Sequence, residues 1–148
     1  MRANLSLGMA LAITLLAGCK TSPPPAPITQ PEVLIPRPLE QVAAAVKSTL
    51  ADRGYLPGKT EGGTLTFDRT ADFGPSVRFG SLYDKPAWRR IRLTLAREGA
   101  ATRVTASGAV VTNRGTADER EEKDTRASGA HQMQAVLDQI RERAQAGP

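Results

Sequence analysis

From Leu39 onward the polar and apolar positions fall into regular patterns. Leu39, Val42, Ala43, Val46 and Leu50 recur at about 3.6-residue spacing and predict a helix with one apolar stripe. Pro38 suits its first turn, and Gly54, after Arg53, suits the left-handed residue that ends it. "GGTLTFDR" then alternates, with Leu65 and Phe67 on one side and Thr64, Thr66 and Asp68 on the other, as a half-buried strand does. "RRIRLTLAR" sets Ile91, Leu93 and Leu95 against Arg90, Arg92 and Thr94. "TRVTASGAVV" places Val104, Ala106, Gly108 and Val110 on its apolar side, and the short Glu98–Ala101 link between these two runs predicts a hairpin. Met133, Val136, Leu137, Ile140 and Ala144 return to helical spacing, with Thr125 or Ser128 as the expected cap.

Each predicted strand has one apolar face and each helix one apolar stripe. The economical arrangement is an α+β, two-layer fold: an antiparallel three-stranded sheet with both helices on one face. Glu32–Ile35 is available as a fourth, short edge strand, because flanking prolines are tolerated at a sheet edge. The order is (β)αβββα over a domain expected at residues 38–146. Its open face would carry Thr64, Thr66, Arg90, Arg92, Thr94, Arg103, Thr105 and Ser107.

The 148 residues are 40% apolar but only 4% aromatic, so the core must be built mainly from aliphatic side chains and alanine. One cysteine forbids an internal disulfide, and one histidine leaves no imidazole cluster for zinc. No cofactor or metal is expected.

The N-terminal stretch has a different character. After Arg2, "LSLGMALAITLLAG" (residues 5–18) is free of charge but too short to span a bilayer, which needs about 20 apolar residues. It reads as the apolar region of a secretory signal peptide, residues 1–18. Leu16-Ala17-Gly18-Cys19 resembles the lipobox of bacterial lipoproteins. That resemblance implies a diacylglyceryl thioether on Cys19, cleavage before it and acylation of the new amine. Stable anchoring takes more than one acyl chain, which this modification supplies. Lys20, where an aspartate would favour inner-membrane retention in Gram-negative bacteria, resembles the outer-membrane sorting choice, with the domain facing the periplasm.

Residues 19–37 then read as the lipidated cysteine and a tether. Seven prolines between residues 20 and 38 favour an extended, polyproline-like chain. About 12 such residues at ~3.1 Å each reach roughly 35–40 Å from the bilayer. Over residues 38–143, the element order and "RGYLPGKTEGGTLTF" are similar to small periplasm-facing lipoproteins of α-β-β-β-α order. More distantly, they resemble the helix-grip domains of the lipoprotein subunit of the β-barrel assembly machinery.

Two stretches interrupt the patterns. Residues 70–88 hold Phe73, Phe79, Tyr83 and Trp88, which either form a ligand or partner patch or fold back over an open end of the core. "TADEREEKD" (residues 116–124) lacks the calcium-loop pattern and reads as a solvated loop. "GYLPGKT" has three residues between its glycines where a phosphate-binding loop has four, and it follows a helix instead of leading into one. His131 reads as a surface or cap residue, and no nucleophile elbow or singled-out carboxylate pair suggests an enzyme.

The formal charge is +5, and signal cleavage removes only Arg2 among the charged residues. Beyond the inner membrane the available anions are lipid head groups, lipopolysaccharide phosphates and peptidoglycan carboxylates, so no nucleic-acid partner is expected. Arg90, Arg92 and Arg103 either converge on such an anion or form a solvated face. The expected function is a non-enzymatic interaction module, anchored by Cys19. The alternative is a binder of a small ligand or anionic envelope polymer through the open face or the aromatic loop.

Overall fold

The computed structural model describes residues 30–71 and 86–147. Six strands and two helices follow one another as β1 (Glu32–Ile35), α1 (Leu39–Asp52), β2 (Leu56–Glu61), β3 (Thr64–Thr70), β4 (Trp88–Glu98), β5 (Ala101–Thr112), β6 (Arg120–Lys123) and α2 (Ala127–Ala146). The α+β class and the antiparallel sheet are as the patterns predict, but the sheet is larger than three or four strands. Its order is β1-β5-β4-β3-β2, with β6 also on β5.

Both unexpected strands lie at edges. β2 carries Pro57 and Gly58, is exposed throughout, and pairs with β3 through a register shift between Pro57 and Thr60. The turn between them is Gly62-Gly63, with φ of +55° and +79°, a left-handed pair that closes a two-residue hairpin. β6 lies inside the acidic run that was expected as a solvated loop, with Glu121 opposite Val111 and Lys123 opposite Ala109. β1 pairs with the first half of the same β5 edge, Val33 opposite Val104, so the folded unit reaches back past Pro38.

One face of the sheet is covered by both helices. Val42, Val46 and Leu50 from α1 and Leu137 and Ile140 from α2 meet Ile91, Leu93 and Val104, and each of these is at most 1% exposed. At about 25 cal/mol per Å² of apolar surface removed from water, such aliphatic packing is the main stabilising term. Thr102 is the one fully buried polar residue described, and its hydroxyl donates to the Arg37 carbonyl at 2.9 Å. α1 ends where Gly54 turns to φ +76° and the Tyr55 amide donates back to the Leu50 carbonyl at 2.9 Å. α2 lacks the expected cap: Arg126 holds the cap position, and neither Thr125 nor Ser128 supplies a side-chain cap. No helix among the described residues is long and apolar enough to cross a membrane.

Candidate functional site

The face of the sheet opposite the helices carries a connected set of charges. Strand pleating turns Asp68, Arg90 and Arg92 to this face, with Asp68 directly opposite Arg90 in the β3–β4 ladder. Arg90 donates from Nε to Asp68 Oδ1 at 2.8 Å and from Nη2 to Oδ2 at 3.0 Å. Arg114, in the loop after β5, adds a hydrogen bond from Nε to Asp68 Oδ2 at 2.8 Å. Asp68 is thereby 3% exposed, although its place in the alternation assigned it to the solvent side.

The remaining partners come from the acidic run. Arg90 Nη1 donates to Glu119 at 2.8 Å and to Glu121 at 3.1 Å. Arg92 forms a fork with Glu121, Nη2 to Oε2 at 2.6 Å. Glu119 also accepts the Gly115 amide at 2.8 Å, which pins the loop. The Arg114 guanidinium sits 4.3 Å from the centroid of the Trp88 ring, a cation–π contact that ties the same loop to the start of β4.

These contacts set the protonation of the face. Burial alone would push the Asp68 carboxyl up, but hydrogen bonds and charge from Arg90 and Arg114 outweigh it and hold the carboxyl below its usual range. The Gly115 amide and then Arg90 lower Glu119, and Arg92 lowers Glu121. Arg90 is pushed up, first by Asp68 and then by the two glutamates. With both Asp68 oxygens engaged by guanidinium groups, this carboxylate is a fixed anion and not a group poised to carry a proton.

Arg90, Arg92 and Arg103 therefore share the predicted face but differ in setting. Arg103 lies near the other end of β5 and is held by Glu98, Nη2 to Oε2 at 3.1 Å, and by Glu32 at 3.2 Å. All three arginines are already ion-paired, which the alternation of a single strand cannot reveal. Trp88 is placed on the face beside Arg114. Cys19, Phe73, Phe79 and Tyr83 lie outside the described residues. His131 is exposed on α2, and Gly58, Lys59 and Thr60 of the "GYLPGKT" stretch are strand residues of β2. Among the described residues, no three His, Cys, Asp or Glu side chains are grouped to hold a metal ion.

A second feature lies on the helix side. A cavity of about 310 Å³ opens between the N-terminal part of α2 and strands β4 and β5, where Arg89, Ile91, Gly108, Val110 and Met133 line it. It is not one of the places the sequence patterns single out. The closest signal is Arg89, a charged residue at a position whose alternation partners, Ile91 and Leu93, are core. No protein-family model matches the chain and no curated protein matches its sequence, so its function is read from its residues alone.

Proposed function

We propose that this chain is a lipid-anchored lipoprotein of the bacterial envelope whose domain acts as a non-enzymatic interaction module. The observation that carries this reading is Leu16-Ala17-Gly18-Cys19 at the end of an uncharged run, followed by a proline-rich stretch leading to a small α+β fold. Cys19 is the lipid attachment point, and Lys20 favours the outer membrane with the domain facing the periplasm. The sheet face supports the module reading. No helix among the described residues lies over it, and its arginines are held in place by carboxylates before any partner arrives. Ordering side chains at an interface costs about 0.5–1.5 kcal/mol each, so a face ordered in advance loses less on docking.

Binding of an anionic envelope polymer at Arg90, Arg92 and Arg103 ranks second, because the polymer would have to displace Asp68, Glu119, Glu121 and Glu98. The experiment combines Cys19→Ser with photo-crosslinking in the envelope. Cys19→Ser should abolish acyl labelling and membrane retention. A crosslinker at Thr94, on the open face, should capture an envelope protein that one at Lys47, on α1, does not. Unchanged labelling and partitioning of Cys19→Ser overturns the anchor. Equal capture from both positions overturns the assignment of the face.

A further inference from the structure

The cavity on the helix side exists because the outer edge of β5 is shared. β1 pairs with Thr102–Thr105 and β6 with Ala109–Thr112, leaving a notch between them. The backbone is satisfied at both sides of it: the Ala106 amide donates to the Pro31 carbonyl at 3.0 Å and the Asp124 amide to the Gly108 carbonyl at 2.9 Å. Gly108 keeps the space open. A Cβ there would lie 3.9 Å from the Met133 sulfur and 4.0 Å from the Asp124 Cβ, so any longer side chain would grow into the cavity. The volume of about 310 Å³ falls at the small end of ligand pockets.

The wall chemistry is unbalanced. Arg89 lies on the helix face, opposite Val110, and its Nε is buried without a hydrogen-bond partner. Its Nη1 reaches Gln132 Oε1 only at 3.5 Å, the long limit of a hydrogen bond. Asp124 is the carboxylate of the lining, but both its oxygens are taken by Arg126, Nε to Oδ1 and Nη2 to Oδ2 at 2.8 Å each. No carboxylate among the described residues hydrogen-bonds or ion-pairs with Arg89, although Asp124 lies near enough to feel its charge. Its Nε–H is withdrawn from water with no acceptor, which is costly, while the guanidinium as a whole is only partly buried and its Nη groups can meet an anion. Beside it, Ile91, Val110 and Met133 offer apolar surface.

We propose that this cavity is a binding site for a small amphiphilic anion, its carboxylate or phosphate-monoester head on Arg89 and its apolar body against Ile91, Val110 and Met133. The inference goes beyond the anchored-module reading and does not depend on Cys19. Gln30 and Pro31 also line the cavity, so it lies beside the point where the chain enters the fold.

The Met133 methyl group is the reporter. The full chain, with 13C-methyl methionine, is placed in nanodiscs of zwitterionic lipid, and the Met133 signal is assigned by its loss in Met133→Leu. Hexanoate, hexyl phosphate, hexanol and inorganic phosphate are titrated in turn. A saturable Met133 shift is expected with hexanoate or hexyl phosphate, at least about tenfold tighter than with hexanol or inorganic phosphate, and the preferred anion names the head group. Arg89→Gln should weaken that binding about tenfold or more, the scale of a lost charge-assisted hydrogen bond. Arg89→Lys should keep part of it, and Gly108→Leu should abolish it. Unchanged melting of Arg89→Gln separates lost binding from lost fold, and Arg89→Lys decides if that variant does not fold. The proposal is overturned if neither amphiphilic anion saturates, if hexanol or inorganic phosphate binds as tightly as the best of them, or if the Arg89 variants bind like the parent.

Discussion

Asp68 and Arg90 face each other in register across β3 and β4 and share two parallel hydrogen bonds, Nε to Oδ1 at 2.8 Å and Nη2 to Oδ2 at 3.0 Å. The pair is the hinge point of a larger brace. Arg114 reaches Asp68 from the loop after β5, and Glu119 and Glu121 reach Arg90 from the loop and from β6. β6 has no apolar residue to bury, so its attachment rests on ladder hydrogen bonds and on these ion pairs.

Removing the anion at the centre should therefore loosen more than one strand. Asp68→Ala leaves Arg90 with only Glu119 and Glu121, and Arg114 with its stacking on Trp88. Breaking a buried pair costs about 3–5 kcal/mol, and with Arg90 keeping two partners about 2–4 kcal/mol is expected here. Urea midpoints measure it. Glu98→Ala, which breaks the exposed pair with Arg103, should leave the midpoint where it was. Equal losses in the two variants would show that the burial of Asp68 has no energetic consequence.

The same brace makes a prediction for acid. Arginine contacts hold Asp68 and Glu121 below the usual carboxylate range in the folded chain, and the Gly115 amide with Arg90 does so for Glu119. A carboxyl whose folded pKa is depressed contributes stability that is fully present above its unfolded value, near ~4, and is lost as pH falls from there through the folded value. The urea midpoint should hold between pH 7 and about 5 and fall steeply below about 4. Asp68→Asn should start lower at pH 7 and show a shallower acid slope. A variant slope as steep as the parent's would remove Asp68 from the linkage.

Most of the fold is legible in the chain because most of its elements bury one face. Leu65 and Phe67, Ile91 to Leu95, and Val104 and Ala106 announce β3, β4 and β5 by alternation, since every second residue must enter the core. β2 and β6 bury no apolar side chain, so no hydrophobic alternation records them. Gly62-Gly63 was the available signal for β2: two glycines between short runs mark a hairpin as readily as they mark the start of a strand. The charge brace is hidden for a related reason. Alternation places Asp68 and Arg90 on the polar face, but only the register of two strands shows that they meet, and only the path of residues 113–121 shows what covers them. The cavity leaves less trace still, because it is the gap between two edge strands, one of which the sequence does not disclose.

Alternation on β4 can be tested directly. Leu93 is fully buried between the helices and the sheet, whereas Thr94 is exposed on the other face. Leu93→Asp places a carboxylate with no partner in the aliphatic core, a cost of several kcal/mol against a total stability of about 5–15 kcal/mol. The variant should lose cooperative unfolding and most amide protection. Thr94→Asp should retain both, giving up only the hydroxyl contact with Thr64 at 2.9 Å. Circular dichroism melts and hydrogen exchange of the two variants decide the matter, and similar melts would mean that β4 faces the other way.

A coupling near the start of α2 gives a sharper test of local geometry. Gly129 lies in the first turn, where alanine is normally worth about 1 kcal/mol more than glycine to a helix. A Cβ at Gly129 would lie 2.9 Å from both Cγ and Oδ2 of Asp124, closer than such atoms can sit. To admit it Asp124 must rotate away, and its two 2.8 Å hydrogen bonds from Arg126 go with it. Asp124 also accepts the Arg126 amide at 3.3 Å just before the helix start, where negative charge is favourable, and Arg126 holds its carboxyl below the usual range. Gly129→Ala alone should therefore be neutral or slightly destabilising. With Asp124→Ala already in place the obstruction is gone, and the same substitution should stabilise the chain by about 0.5–1 kcal/mol. Urea midpoints of the parent, the two single variants and the double variant close a cycle whose coupling term must be favourable to the double. Strict additivity would mean that Asp124 does not occupy the space over Gly129 in solution.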